Sequence, residues 1–179
     1  MSKSASGHTL FDTAIGRCGI AWGEHGITAV QLPERDDAAT AARLRAYANE
    51  ADPPVAVRSA IDRITALLRG EADDLADIAL DPAGVPEFHR RVYGVARAIP
   101  VGQTLTYGEV AARLGAPGSA QAVGQALGRN PYPIVVPCHR VLAAGGKVGG
   151  FSAGNGATTK LRILAIEGAA PNGQPSLFD

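Results

Sequence analysis

The spacing of apolar and polar positions changes twice along the chain, and each change marks a different kind of structure. Over residues 9–32 the apolar positions come in short runs cut by Gly16, Gly19, Gly23 and Gly26. Residues 10–15, 18–22 and 27–32 read as β-segments, the pattern of a small antiparallel meander. From Asp36 the period lengthens to that of a helix. Residues 37–47 predict an amphipathic helix with an acidic first turn, broken by Asp52-Pro53-Pro54. A second helix is predicted over residues 55–69, with Val57, Ile61, Ile64 and Leu68 on one face and Gly70 as its stop. An acidic stretch then ends in Asp81-Pro82-Ala83-Gly84, a turn-forming cluster that divides the chain into two units. Beyond it, residues 86–98 predict a helix with Phe88, Val92, Val95 and Ala96 inward, closed by Pro100 and Gly102.

Two short helices follow. Thr106 with Glu109 three residues on is the pattern of a capping box opening the first. Ala116-Pro117-Gly118 makes a tight turn, and Ser119 can cap a second helix that ends near Leu127, which together outline a helix-turn-helix. The second helix offers Val123 and Leu127 to a core and is otherwise Ala, Gly and Gln, including Gln121, Ala122 and Gly124. It has no Arg or Lys to read guanine edges in a major groove. A backbone so thinly covered can approach something narrow, so the expectation is a minor-groove or phosphate contact. The plainer alternative is a small-residue helix packed on its neighbour.

The apolar run Ile134-Val135-Val136 reads as a buried strand stopped by Pro137, and Cys138 comes next. His139 and Arg140 bring positive charge beside the thiol, which favours the nucleophilic thiolate. The competing reading is a small buried hydrophobe. Cys18, His8, His25 and His89 have no usual zinc spacing, so Cys18 is read as packing.

Composition narrows the classes. With 179 residues, 46% of them hydrophobic, the chain can bury a substantial core. No apolar run approaches the ~20 residues of a membrane span, and residues 1–8 lack a signal-peptide core. The expectation is a cytoplasmic protein in a reducing compartment, without disulfides. Net charge is zero, but it is unevenly shared: residues 84–170 hold nine Lys and Arg against three Asp and Glu, and residues 1–83 hold eight against thirteen. The second unit could therefore meet a polyanion.

Taken together, Thr106-Tyr107-Gly108-Glu109-Val110-Ala111, Ala122-Val123-Gly124, Gly128-Arg129-Asn130-Pro131, Pro137-Cys138-His139-Arg140-Val141, Gly149-Gly150-Phe151 and the 160–168 segment ending in Glu167-Gly168 closely resemble the 6-O-alkylguanine-DNA alkyltransferases. The match is strong over residues 84–170. Before that the resemblance is one of layout only. It implies an α/β protein with an N-terminal domain, residues 1–83, of small antiparallel sheet and helices. A mostly helical C-terminal domain, residues 84–170, would carry the helix-turn-helix and a short cysteine-bearing strand, and residues 171–179 would be a mobile tail. It implies irreversible transfer of an alkyl group from the 6-oxygen of guanine to Cys138, in double-stranded DNA, by a monomer needing no cofactor and no metal.

The roles implied by resemblance are specific. His139 takes the thiol proton through a water, Glu167 orients His139, Tyr107 protonates the leaving base, and Asn130 fixes the turn before the cysteine. Amides near Val141 and the Ser152 hydroxyl hold the base edge. Thr106, Ser119, Gln121, Ala122, Gly124, Arg129 and Arg140 are expected on the DNA side. The damaged base must be flipped out of the duplex to be reached. One departure stands out: family members commonly carry Arg where this chain has Gln121, at the position that fills the gap left by the base. The stretch 152–159 also looks longer than usual and rich in small residues, which suggests room for alkyl groups beyond methyl. Rival readings are a non-catalytic lesion-binding relative, a Cys-His hydrolase and a sequence-specific DNA-binding regulator.

Overall fold

The computed structural model describes residues 6–143 and 156–169, the side chains of 156 and 157 excepted. Strands β1 (Gly7–Thr13), β2 (Gly16–Gly23) and β3 (Gly26–Gln31) form an antiparallel sheet in that order. The register sets Phe11 opposite Cys18 and Ile20 opposite Val30, with an irregularity at Ala21 and Trp22. Alternation along β2 sends Cys18, Ile20 and Trp22 into the main core, while Ala21 on the other face packs with Ala29 beneath Leu44. That second face carries small residues because helix α1 (Asp37–Arg45) lies close: a Cβ on Gly19 would come within 2.1 Å of Leu44 Cδ1. Asp36 caps α1 by accepting from Ala39 N at 2.8 Å.

Helix α2 (Val55–Leu67) buries Val57, Ala60, Ile64 and Leu67. The acidic stretch that follows returns along β3, with Ile27 N donating to Ala79 O (2.9 Å) and Asp81 N to Ile27 O (2.8 Å). This approach requires glycine at position 26, where φ is +134° and a Cβ would stand 2.6 Å from Ala79 O. Helix α3 (Glu87–Arg97) buries Val92, Tyr93 and Ala96, and strand β4 (Leu105–Thr106) leads into the paired helices α4 (Tyr107–Arg113) and α5 (Ala120–Gly128). The capping box on Thr106 and Glu109 is formed. Ser119 occupies the N-cap of α5, but its side chain makes no capping bond.

The apolar run before the cysteine departs from expectation. Residues 134–136 form a tight turn rather than a strand, with Ile134 in the left-handed region at φ +77° and Val136 N bonded to Tyr132 O at 2.8 Å. Asn130 holds this turn closed from inside, which local hydrophobic period cannot reveal. The short strand near the cysteine is β5 (Val141–Leu142), three residues after Cys138, paired in parallel with β4. Helix α6 (Gly156–Ile166) completes the described chain. One continuous cluster of buried residues runs from Phe11 and Ile20 of the sheet through Val92 and Val123 to Val141 and Ile163. Each such aliphatic side chain contributes about 1.5–3 kcal/mol by leaving water. No helix among the described residues is long and apolar enough to cross a membrane.

Candidate active site around Cys138

Cys138 opens a single 3₁₀ turn, Cys138–Arg140, between Pro137 and β5. Cys138 N donates to Val136 O (2.7 Å) and Arg140 N to Pro137 O (2.9 Å), so the turn is tied to the segment that precedes it. At three residues per turn, consecutive side chains leave the axis in three directions. All three are buried: Cys138 is 5% exposed, His139 0% and Arg140 2%.

Glu167 meets two of them. It follows directly on α6, its backbone N–H bonded to Ile163 O at 3.0 Å. His139 Nε2 lies 3.0 Å from Glu167 Oε2. Arg140 grips the same carboxylate with both arms, Nε to Oε1 at 2.9 Å and Nη2 to Oε2 at 2.8 Å, and its Nη1 donates to Ile99 O at 2.7 Å. Burial opposes ionisation of Glu167, but the bonds from Arg140 and His139 outweigh it and hold its pKa down at about 2. Burial lowers the pKa of His139 despite the opposing pull of Glu167. The imidazole is therefore neutral at neutral pH, with its Nε2–H donated to the carboxylate. Nδ1, which has no hydrogen-bond partner among the described residues, is left as the acceptor.

These positions correct two sequence expectations. Arg140 does not reach the DNA side, because its guanidinium is spent on Glu167 and a backbone carbonyl. Nor do His139 and Arg140 hold Cys138 as a thiolate. Burial raises the thiol pKa, and a bond from the Asn130 side chain and the charge of Lys160 offset this only in part. The resting form is the thiol, and a base is needed to activate it.

Asn130 spans the turn before the cysteine: Nδ2 donates to Val136 O and Oδ1 accepts from Tyr132 N, each at 2.9 Å. Tyr107 begins α4 and is partly buried, its ring in contact distance of a Cβ built on Gly124. Burial and the nearby Cys138 both raise its pKa, so the phenol keeps its proton at neutral pH and can donate it. Lys160, 3% exposed, sits with Nζ 6.0 Å from the Tyr107 ring centroid and donates to Val141 O at 2.8 Å. A helical lysine such as Lys160 ordinarily reads as solvated in a sequence, and only the fold shows it buried. The Val141 N–H is engaged, donating to Cys138 O. On α5, Gln121 is exposed and Ala122 and Gly124 partly so, while Arg129 is exposed at the C-cap. Ser152 lies outside the described residues, as do Gly149-Gly150-Phe151, most of the 152–159 stretch and the tail from 171 onward. Among the described residues no group of three or more His, Cys, Asp or Glu is placed to hold a metal ion.

The chain as a whole is similar to known proteins. Residues 87–169 match the family model of the 6-O-methylguanine DNA methyltransferase DNA binding domain. A methylated-DNA-protein-cysteine methyltransferase of Methanothermobacter thermautotrophicus is 41% identical over 167 residues, covering 93% of this chain and 85% of the relative. The enzyme of that name from Mycolicibacterium paratuberculosis is 45% identical over 70% of this chain and 74% of its own length. The crystal structure of Mycobacterium tuberculosis O6-methylguanine methyltransferase superposes with a TM-score of 0.74 at 35% identity, covering 98% of this chain and all of the other. The M. tuberculosis OGT in complex with DNA gives 0.72 at 34% identity, covering 89% and 91%. This chain belongs to the methylated-DNA-protein-cysteine methyltransferase family.

Proposed function

We propose how the chain carries out the activity of its family, in which an alkyl group leaves the 6-oxygen of guanine in DNA and stays on the protein's own cysteine. Neutral His139 accepts the thiol proton at Nδ1 through a water, and Glu167, kept ionised by Arg140, stabilises the imidazolium that results. The Cys138 thiolate attacks the alkyl carbon in line with the departing oxygen. As the carbon–oxygen bond breaks, Tyr107 gives its proton to the base, which leaves as neutral guanine. Asn130 keeps the preceding turn in the shape that presents the sulfur. The observation that carries this reading is the 3.0 Å His139–Glu167 contact next to a buried thiol that burial keeps protonated.

Access to the base follows from the helices. Helices α4 and α5 form a helix-turn-helix whose second helix enters the minor groove on its Ala and Gly face, and the lesion is flipped out at a cost of a few kcal/mol. Gln121 stands where the base has left, Arg129 approaches the phosphates, and Thr106 and Ser119 lie at the helix starts nearest the strand. Residues 1–83 act as a scaffold, a role supported by the bond from Val30 N to Pro131 O at 2.9 Å, which anchors the cysteine's turn on the sheet. A non-catalytic lesion-binding role is disfavoured by the thiol itself. Nothing in the proposed chemistry regenerates the thiol from the thioether, so each molecule acts once. Incubation with duplex carrying 6-O-methylguanine should add one methyl group to the peptide containing Cys138, and none to Cys138→Ser. Unmodified Cys138 in folded protein, or multiple turnovers per molecule, would refute the mechanism.

A further inference from the structure

Tyr132 joins three parts of the molecule, and its side chain has no part in the chemistry described above. Its backbone belongs to the turn before the cysteine: N donates to Asn130 Oδ1 at 2.9 Å, and O accepts from Val136 N at 2.8 Å. Val136 O in turn accepts from Cys138 N at 2.7 Å. The side chain is buried and reaches the first half of the chain, where its hydroxyl donates to Asp81 O. That carbonyl is itself anchored, because Asp81 N donates to Ile27 O at 2.8 Å and holds the segment on β3. The ring meets Tyr93 edge-on, with centroids 6.5 Å apart at 89°. The Tyr93 hydroxyl donates to Ala126 O of α5 at 2.7 Å. Tyr132 also borders two hollows, of about 210 Å³ and 270 Å³. They are space into which the ring could swing if the hydroxyl let go.

We propose that Tyr132 is a positioning residue for alkyl transfer: through Asp81 O and the Tyr93 ring it fixes the cysteine's turn relative to both the sheet and α5. The inference rests on the alkyl-transfer reading and deepens it. In the displacement, sulfur, carbon and oxygen must lie on one line. The duplex carries the carbon and oxygen, and on that reading α5 holds the duplex. The sulfur is placed by a different segment, residues 130–138, so the two must share one frame. Tyr93 and Tyr132 bridge α5 to that segment, and the bond to Asp81 O keeps the bridge from turning. A misplacement of about 1 Å between reacting atoms can cost about 10²-fold in rate.

The experiment uses two variants of the full chain. Tyr132→Phe keeps the ring and removes the bond to Asp81 O; Tyr93→Phe keeps the ring and removes the bond to Ala126 O, which still accepts from Arg129 N. Single-turnover methyl transfer is measured over a range of concentrations of duplex carrying 6-O-methylguanine and over pH, beside urea unfolding. In each variant the rate at saturating duplex should fall about tenfold to 10²-fold. The half-saturating duplex concentration should stay within about twofold, the acid limb of the rate should not move, and the urea midpoint should stay within about 0.5 M. A loss of stability alone would lower the midpoint without slowing the folded protein at saturating duplex. A saturating rate within about twofold of the parent in either variant would overturn the bridge, as would a slower reaction accounted for by weaker duplex binding or by a shifted acid limb. Absence of methyl transfer by the unsubstituted protein would overturn the alkyl-transfer reading and this inference with it.

Discussion

Replacing Arg140 with methionine isolates the part of the site that no substrate touches. The side chains of Arg140 and Glu167 are 2% and 1% exposed, and the guanidinium makes two bonds to the carboxylate and one to Ile99 O. Methionine fills much of the volume but returns none of the bonds, so Glu167 is left buried with only His139 as partner. Removing one member of a buried ion pair costs about 3–5 kcal/mol, a large share of the ~5–15 kcal/mol that holds a domain folded. With a urea slope of about 2 kcal/mol/M, the unfolding midpoint should fall by roughly 2 M. The fluorescence of Trp22, the sole tryptophan and buried in β2, reports it directly. The same change should move activity with pH. Arg140 lowers the pKa of His139, and without it the imidazole stays charged, and useless as a base, to higher pH. The acid limb of the methyl-transfer rate should therefore shift upward. A midpoint loss under about 0.5 M together with an unmoved acid limb would show that Arg140 neither supports Glu167 nor tunes His139.

Other expectations follow from the same geometry. Tyr107→Phe should slow methyl transfer by about 10²–10⁴-fold, the usual span for a lost general acid, while leaving the urea midpoint nearly unchanged; a rate within a few-fold of the parent would remove Tyr107 from the chemistry. Glu167, with its folded pKa lowered to about 2, adds stability that is complete above its unfolded pKa of about 4.3 and is lost as pH falls toward 2. Urea titrations from pH 5 to pH 2 should show this loss, and Glu167→Gln should flatten it. Gln121→Arg should tighten duplex binding and steepen its salt dependence by about one phosphate contact, and titrations with unchanged affinity and slope would place position 121 away from the DNA.

What could be read from residue order was whatever local spacing decides. The meander, α2 and α3 follow from period and punctuation, and the capping box of α4 needs only Thr106 and Glu109. The turn at 134–136 was misread because Ile and Val favour strands, while the bonds that bend the chain come from Asn130 several residues away. Arg140 was misplaced for a related reason. Its partner Glu167 is 27 residues distant, so its charge looked available to thiol and DNA alike. Burial of the sulfur, which reverses the expected effect of those neighbouring charges, is a property of the whole core. The burial of Lys160 is visible only in the folded chain.

The bond from Val30 to Pro131 has a bearing on how such a chain can diverge. The outer surface of the first half is free to drift, but its third strand supplies an amide on which the cysteine's loop hangs. A proline introduced there would delete that amide and disturb chemistry performed by residues more than a hundred positions later. Natural variation should accordingly leave the backbone course of β3 undisturbed even where the surrounding letters are unrecognisable.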